Sequence, residues 1–187
     1  MVERDWSDSP LGSPESWSPT LKSTVRTLLR AGTQIVMFWG PELVALYNDA
    51  YAPGIGDKHP RALGSPAREN WAELWDDLGP LLNGVLHTGK TFFSRDRPFY
   101  IERHGYGEAT FWDVSYSAVI ESDGSVGGVL YIVTETTERV RALAALRSSE
   151  ELDRRVLQAS ADCIKVLSLE GRLEYLSEGG LHALEVD

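Results

Sequence analysis

The chain has little cysteine, no surplus of positive charge and no long apolar segment. One cysteine, Cys163, stands among 187 residues, which excludes an internal disulfide and a cysteine-based zinc site and favours a reducing compartment. The formal net charge of −10 argues against binding to nucleic acid or to an anionic membrane surface. No apolar run exceeds five residues, so no membrane insertion is expected. We predict a cytoplasmic protein without a nucleic-acid partner or a bound metal.

The length of the chain and its hydrophobic share of 42% predict one folded domain with an attached piece. Residues 18–32 have helical spacing after a Ser-Pro start. The apolar runs at 35–39 and 43–47 predict a hairpin, and residues 48–89 are helical but broken by proline and glycine. Three strands follow, with Asp123-Gly124 as the turn between the last two. This order predicts an α+β fold with one five-stranded antiparallel sheet and short helices on one face.

The pattern divides the chain into four segments. An N-terminal arm and helix occupy residues 1–32, and the sheet domain occupies 33–137. A helix over 138–160 lacks proline and glycine and carries an apolar seam at Ala142, Ala145, Ser149, Leu152, Val156 and Ala159. This spacing predicts a weak coiled coil that forms a homodimer, or alternatively one amphipathic helix packed on its own domain. Residues 161–187 repeat the strand, turn and strand of 34–47 and are expected to begin a second, truncated domain.

Several short motifs occur in a fixed order. They are WGPEL at 39–43, LYNDAY at 46–51, KHP at 58–60, ELW at 73–75, GPL at 79–81, SYS at 115–117, GGV at 127–129 and TETTER at 134–139. This series resembles the N-terminal sensory PAS domains of proteobacterial sensor histidine kinases. The last motif is similar to the exit motif at which such domains join a signalling helix. The resemblance covers residues 6 to 145, and residues 160 to 187 look like the start of a second PAS domain.

The resemblance implies a sensory and dimerisation module that relays ligand binding or conformational state through its helical linker. Fold analogy alone fixes neither ligand nor output. No catalysis is expected in this segment, while downstream kinase domains of the same chain are the expected partners. Other outputs, such as a cyclic-nucleotide synthase or a phosphatase, are the alternatives. The residues that we expect to transmit the signal are Thr134, Glu135, Thr136 and Leu152.

A set of aromatic side chains and one histidine is available to line a pocket between the sheet and residues 48 to 90. The set comprises Trp39, Tyr47, Tyr51, Trp71, Trp75, His87, Phe92, Trp112 and Tyr131. Aromatic residues at these spacings are also typical of an ordinary core. His87 is the candidate ligand in a haem-sensor alternative, although a histidine at a helix end is commonly placed there by the dipole. We predict no cofactor and at most a small apolar or aromatic ligand.

Two further features have alternative interpretations. Residues 84–91 match the phosphate-loop pattern G-x-x-x-x-G-K-[ST], but a helix precedes them and a strand follows, which reverses the required context. We therefore predict a helix C-terminus followed by a strand start. Light-oxygen-voltage photochemistry requires a cysteine on a helix that faces a flavin. Cys163 is predicted on a strand of the repeat, so we exclude this chemistry. Carboxylates are expected on the solvated surface, among them Glu73, Asp76, Asp77, Glu108 and Asp113.

Overall fold

The computed structural model describes residues 5–159 and 164–177. The chain divides into two compact units, the first ending at Thr137 and the second beginning at Glu138. Over the described ranges, no helix combines the length and the apolar character that crossing a membrane requires. Cys163, on which the exclusion of flavin photochemistry rests, falls outside those ranges.

The helices and strands follow the predicted order. The helices are α1 (Pro19–Leu28), α2 (Ala52–Ile55), α3 (Ala67–Asn70), α4 (Trp75–Thr88) and α5 (Thr137–Ala159). The strands are β1 (Gln34–Trp39), β2 (Val44–Tyr47), β3 (Phe92–Glu102), β4 (Gly107–Ile120), β5 (Val126–Glu135), β6 (Lys165–Leu167) and β7 (Leu173–Leu176). Short 3-10 helices lie at Pro14–Ser16, Gly56–Lys58 and Ala72–Leu74.

Helix α1 begins where the sequence predicts it. The Ser18 hydroxyl accepts a hydrogen bond from the Leu21 backbone N–H at 3.0 Å, and Pro19 occupies the first helical position. Both features are typical of a helix start, because they use or remove N–H groups that lack a partner within the helix. The apolar side of the helix is buried through Leu21, Val25 and Leu28.

A buried asparagine, Asn48, ends helix α1 earlier than the sequence indicates. Its amide nitrogen donates to the backbone carbonyls of Leu28, Ala31 and Thr33, at 3.3, 3.0 and 2.7 Å. Its side-chain oxygen accepts from the backbone N–H groups of Ile35 and Tyr51, at 3.2 and 3.1 Å. The sequence predicts Asn48-Asp49 as the cap of a short helix. That helix, α2, begins only at Ala52 without a side-chain cap, because Asn48 instead fastens the loop to strand β1.

Strands β1 to β5 form one antiparallel sheet in the order β2-β1-β5-β4-β3. This arrangement confirms the predicted five-stranded sheet and the α+β class. The sequence predicts these strands at 91–93 and 111–119, but β3 and β4 continue well beyond those segments, and β3 runs through a polar stretch and through Pro98. Proline lacks a backbone N–H, which an edge strand such as β3 tolerates on its unpaired side. A bulge between Ser94 and Arg97 interrupts the pairing of β3 with β4.

The sheet separates two apolar clusters, one on each face. The inner cluster joins β1 residues Val36 and Phe38 to helices α2, α3 and α4. The outer cluster joins Ile35, Met37 and Trp39 to α1 and to the N-terminal arm. In the arm, Trp6 and Trp17 are buried and meet edge to face at 4.9 Å. Strand β1 is therefore buried on both faces, which explains why its sequence is apolar without alternation.

The segment with the phosphate-loop pattern forms a helix end and a strand start, as predicted. Helix α4 continues through Gly84 to Thr88, and β3 begins at Phe92. Gly89 has a φ of 66°, and its N–H donates to the Val85 carbonyl at 2.8 Å. A left-handed glycine directly after the last helical turn is typical of a helix C-cap.

The second unit contains most of helix α5 and a small hairpin. Residues 141–156 of α5 are exposed. Strands β6 and β7 pair antiparallel, with Lys165 opposite Leu176 and Val166 opposite Tyr175. Gly171, with a φ of 81°, lies in the turn between them. The predicted strand, turn and strand are therefore present in this segment.

Candidate functional site

A narrow cavity lies between the inner face of the sheet and the short helices. Its wall is formed by Phe38, Tyr51, Gly54, Trp71, Leu74, Leu78, Phe99, Ile101, Trp112, Tyr116 and Tyr131. The space open to the centres of water molecules is about 30 Å³, so the side chains leave room for only about two water molecules. The wall is therefore mainly aromatic, and the polar groups of its side chains are three tyrosine hydroxyls and two indole N–H groups.

The aromatic rings of the wall contact one another. The rings of Tyr116 and Tyr131 are stacked at a centroid distance of 4.3 Å and an interplanar angle of 18°. Phe38 and Trp71 meet edge to face at 5.7 Å, and Tyr51 meets Tyr131 edge to face at 6.5 Å. Such ring–ring contacts favour particular ring orientations, which burial alone does not. The wall consequently has a defined shape.

The tyrosine hydroxyls of the cavity are held in the neutral form. Burial raises the pKa of Tyr51, Tyr116 and Tyr131 above its ordinary value, because a phenolate would lose its hydration there. The Tyr116 hydroxyl is buried without a hydrogen-bond partner. The neighbouring Tyr131 hydroxyl lowers the Tyr116 pKa by hydrogen bonding, although the geometry between the two hydroxyls is not that of a regular hydrogen bond. The hydroxyls of Tyr116 and Tyr131 are therefore neighbouring polar groups in the wall.

Arg97 places a positive charge beside this tyrosine group. It lies opposite Trp112 in the β3–β4 pairing, so its side chain is on the inner face of the sheet. The guanidinium is 5.5 Å from the ring centroids of both Phe92 and Phe99. Its ion pair with Asp77 is long, at 3.5 Å, and Asp77 is 62% exposed. The Arg97 Nε atom is buried without a partner, and the positive charge lowers the Tyr116 pKa against the effect of burial.

The structure brings only part of the predicted pocket set together. Tyr51, Trp71, Trp112 and Tyr131 line the cavity. Tyr47 is buried in the inner cluster without lining it, and its hydroxyl lies 3.1 Å from the His59 ring nitrogen Nδ1. Trp75 and Phe92 are half-buried at the border of the inner cluster. Sequence reasoning missed the remaining lining residues, among them Tyr116, Phe99 and Phe38.

Two predicted pocket residues lie elsewhere. Trp39 points to the outer face, because successive β1 side chains alternate and Phe38 takes the inner position. His87 is exposed near the end of α4, where its Nδ1 is 2.7 Å from the Asn83 carbonyl oxygen. The cavity wall contains no histidine among the described residues. Nothing in the cavity therefore favours the haem alternative.

A second polar cluster lies where the β3–β4 hairpin meets the exit of β5. Arg103 donates to both carboxylate oxygens of Glu135, at 2.7 and 2.9 Å, and to Glu108 at 2.5 Å. It also donates to the Gly54 carbonyl at 3.4 Å and lies 5.9 Å from the Trp112 ring centroid. The hydrogen bonds to Glu135 and Glu108 raise the Arg103 pKa. Because Gly54 and Trp112 line the cavity, Arg103 joins its wall to the exit strand.

The predicted transmitting residues have distinct environments. The Glu135 carboxylate accepts a hydrogen bond from the Thr137 hydroxyl at 2.8 Å. That hydroxyl in turn accepts from the Phe111 backbone N–H at 2.9 Å. Thr136 is buried, and its hydroxyl donates to Asp96 at 2.7 Å. Thr134 is exposed, and Leu152 is exposed on α5. The side chains at positions 135 to 137 are thus held by groups of β3 and β4.

The expectation of solvated carboxylates is wrong for three residues. Glu73 is largely buried and forms a close ion pair with Lys58, whose amino group also donates to the Asn70 carbonyl at 2.7 Å. Glu108 is bound to Arg103, and Asp113 accepts from the Asp96 backbone N–H at 2.8 Å. Each carboxylate lies close in space to a partner that is distant in the chain or across a turn. No periodic pattern in the sequence indicates these pairs.

The described residues contain no cluster of three histidine, cysteine, aspartate or glutamate side chains arranged to hold a metal ion. Arg103, Arg97 and Asp96 are the polar residues of the site that sequence reasoning missed. The only signal in the sequence was weak: charged residues interrupt an otherwise apolar and aromatic strand.

The family model described as "PAS fold" matches residues 29–141, more than half of the chain. No curated protein matches the sequence. Among solved structures, an RNA-binding light-oxygen-voltage receptor superposes with a TM-score of 0.51 at 20% identity, over 79% of this chain and 42% of that one. The chain therefore spans less than half of that receptor.

Two smaller proteins have a similar fold. The PAS domain of a Colwellia psychrerythraea protein gives a TM-score of 0.48 at 12% identity, over 63% of this chain and 98% of that one. A sensory box sensor histidine kinase from Vibrio cholerae gives 0.45 at 15% identity, over 62% and 89%. The family match, together with the five-stranded sheet and its short helices, shows that the chain belongs to the PAS fold family.

Proposed function

We propose that this chain is the input module of a signal-transduction protein, in which the state of the aromatic cavity is relayed to helix α5. The observation that carries the proposal is the position of Arg103. One guanidinium contacts the cavity wall at Gly54 and Trp112 and holds Glu135, two residues before α5 begins. A displacement of the wall therefore acts on the exit strand through charged hydrogen bonds, which are stronger than neutral ones.

A second connection supports this relay. Asp96 lies in the β3 bulge with a positive φ of 47°, a conformation that few residues other than glycine adopt. In this conformation its carboxylate accepts from the Thr136 hydroxyl, while its backbone N–H donates to Asp113. Strand β3 thus holds Thr136 from one side while Arg103 holds Glu135. Two adjacent exit residues are therefore held by β3 and by the turn that follows it.

We infer that α5 forms a parallel coiled coil in a homodimer. Two apolar side chains are exposed along it at Leu152 and Val156. A polar helix with exposed apolar residues is stabilised when a partner helix covers them. Leu152 and Val156 lie on the predicted seam, which also contains small alanine and serine residues that pack weakly. A weak seam suits an element whose pairing changes during signalling.

We further propose that the parent protein is a bacterial sensor histidine kinase. The order of the motifs, which resembles that of proteobacterial PAS input domains, supports this assignment. Residues 161–187 are proposed to begin a second PAS domain, which the β6–β7 hairpin supports because a hairpin also begins the first sheet. The kinase domains of the same chain are then the downstream partners. A cyclic-nucleotide synthase or a phosphatase is the alternative output.

The relay is tested by amide hydrogen exchange of residues 141–146, whose amides report on the first turns of α5. Glu135→Gln removes the charge that Arg103 and Thr137 contact, so exchange in this segment is expected to accelerate. Glu42→Gln provides the control, because Glu42 is exposed in the β1–β2 turn. Equal exchange in the two variants would contradict the relay.

The dimer is tested by sedimentation equilibrium. Leu152→Asp places a charge on the seam and is expected to shift the protein towards monomer. Leu143→Asp introduces the same charge on the same helix away from the seam, and it is expected to leave the dimer intact. If the wild-type protein is a monomer at high concentration, the dimer proposal is wrong.

A further inference from the structure

One end of the cavity is formed where the short helices meet the end of strand β3. Gly54, Ile101 and Trp112 line the cavity, and Arg103 contacts both Gly54 and Trp112. The space open to the centres of water molecules is about 30 Å³, so a ligand larger than about two water molecules enters only if the wall moves. Strand β3 is the edge of the sheet and pairs on one side only. We therefore expect the wall to move at this end.

Three hydrogen bonds hold the end of β3 against the short helices. The Asp57 backbone N–H donates to the Arg103 carbonyl at 2.9 Å. The Arg103 guanidinium donates to the Gly54 carbonyl at 3.4 Å, and the Glu102 backbone N–H donates to the Glu73 carboxylate at 3.3 Å. We refer to these three bonds as the latch contacts. Two of them are longer than a usual N–H···O bond and are therefore weak.

A glycine allows the two segments to approach each other this closely. Gly56 has a φ of 50° and a ψ of −125°, a conformation that residues with a side chain rarely adopt. A Cβ atom at this position would overlap the Arg103 carbonyl oxygen. Any other residue at position 56 would push the β3–β4 turn away from the short helices. Glycine is therefore required here for the latch contacts to form.

The tip of the β3–β4 turn is exposed to solvent at His104, Gly105 and Tyr106. Exposed segments with few buried contacts are the parts of a protein that open locally. Arg103 also forms a bidentate pair with Glu135, at 2.7 and 2.9 Å. Such a pair is stronger than a single long bond to a backbone carbonyl of α2. When the latch contacts break, Arg103 is therefore expected to stay attached to Glu135.

Resting on the sensory function proposed above, we propose that the β3–β4 turn is a gate over the cavity. While the latch contacts are formed, the wall leaves room for about two water molecules. When they break, Ile101 and Trp112 move away from Gly54, and the cavity accepts a small apolar or aromatic molecule. Arg103 moves with the turn but remains bound to Glu135. Opening of the gate therefore displaces the same guanidinium that reaches the exit strand.

Amide hydrogen exchange in the unmodified protein tests the gate without a substitution. The backbone N–H groups of Asp57 and Glu102 both donate in latch contacts, so one local opening should expose both. We expect the two amides to share one opening equilibrium and to exchange at least about tenfold faster than the Tyr131 amide of the central strand β5. Unequal opening equilibria, or exchange as slow as that of Tyr131, would contradict the gate.

A pair of glycine substitutions tests whether the gate controls access. Gly56→Ala breaks the latch contacts, because its Cβ atom overlaps the Arg103 carbonyl oxygen. Gly124→Ala is the matched control, since Gly124 also has a positive φ, of 87°, but a Cβ atom there meets nothing within 4 Å. Benzene is the probe, because it is uncharged and larger than two water molecules. Its binding is measured through the NMR signal of the Trp112 indole N–H.

The apparent affinity of a ligand rises with the fraction of the protein that is open. Gly56→Ala is therefore expected to bind benzene at least about tenfold more tightly than the wild-type protein, whereas Gly124→Ala should bind it as the wild-type protein does. Equal affinity in Gly56→Ala and the wild-type protein, or the same gain in both variants, would overturn the gate. Thermal unfolding confirms that each variant is folded, and if Gly56→Ala is not, the exchange of the unmodified protein decides.

The gate and the relay are tested by different measurements. The relay is measured without any ligand, through the effect of Glu135→Gln on exchange in α5, and this substitution does not change a residue that forms a latch contact. A gate that fails beside a relay that holds, or the reverse, is therefore recognised directly.

Discussion

Replacing Arg103 with glutamine removes one charge that neutralises two carboxylates. The side chain of Arg103 is 11% exposed, and those of Glu108 and Glu135 are 19% and 26% exposed. Breaking a fully buried ion pair costs about 3 to 5 kcal/mol, whereas an exposed pair contributes about 1 kcal/mol or less. For this intermediate exposure we expect Arg103→Gln to lower the free energy of unfolding by about 2 to 4 kcal/mol.

The reciprocal substitution should cost less. In Glu135→Gln, Arg103 keeps its hydrogen bond to Glu108 at 2.5 Å, so no charge is left without a partner. We expect a loss of about 1 to 2 kcal/mol in this variant. In the double variant the two losses should not add, because both single variants break the same pair. A coupling energy of about 1 to 2 kcal/mol is expected.

Urea unfolding followed by tryptophan fluorescence measures all four proteins of this cycle. Arg95→Gln controls for the loss of one positive charge, since Arg95 is exposed. A loss below about 0.5 kcal/mol for Arg103→Gln, within the range of ordinary surface changes, would refute the role of this contact. Full additivity in the double variant would refute it equally.

Two other predictions concern the packing of the domain and its response to pH. Asn48→Asp keeps the shape of the side chain but removes the N–H groups that donate to the backbone carbonyls. The free energy of unfolding should therefore fall by about 2 to 4 kcal/mol. The control, Asn83→Asp, changes an exposed asparagine and should alter the free energy of unfolding little. The raised pKa values of Tyr51, Tyr116 and Tyr131 mean that the folded state keeps protons that the unfolded state loses above about pH 10. Stability should therefore not depend on these groups below that pH and should fall above it. Phenolate absorbance would contradict this if all seven tyrosines titrated before unfolding.

The sequence predicts the sheet well because its strands and turns carry strong local signals. Asp123-Gly124 lies between two apolar runs, and Gly89 follows a long helical pattern. Both positions behave as these local rules indicate. The predicted length of β3 is wrong, because charged residues and Pro98 argue against a strand. Strand β3 tolerates these residues because it lies at the edge of the sheet and contains a bulge. Both features arise from its pairing with β4 and not from local residue preference.

The cavity is less predictable than the fold. A strand that is buried on both faces has no alternation of polar and apolar residues, so its sequence does not indicate which side chains face the cavity. Trp39 belongs to an apolar run without alternation, and the N-terminal arm that covers it could not be placed from composition. Tyr116 belongs to the SYS motif at 115–117, but nothing in the sequence indicates that it lines the cavity. Arg103 and Glu135 are 32 residues apart, and their contact follows from sheet order alone.

The central claim is that a change in the cavity wall reaches helix α5 through Arg103. Gly54→Ala tests it most directly, because the added Cβ atom would lie 3.3 Å from the Trp112 ring and must displace it slightly. Gly84→Ala is the matched control, since a Cβ atom there meets nothing within 4 Å. Hydrogen exchange of residues 141–146 is the measurement for both variants.

We predict that Gly54→Ala changes exchange in this segment, that Gly84→Ala does not, and that the effect of Gly54→Ala disappears when Arg103 is also replaced by glutamine. An equal response to the two glycine substitutions, or an effect of Gly54→Ala that persists without Arg103, would contradict the account.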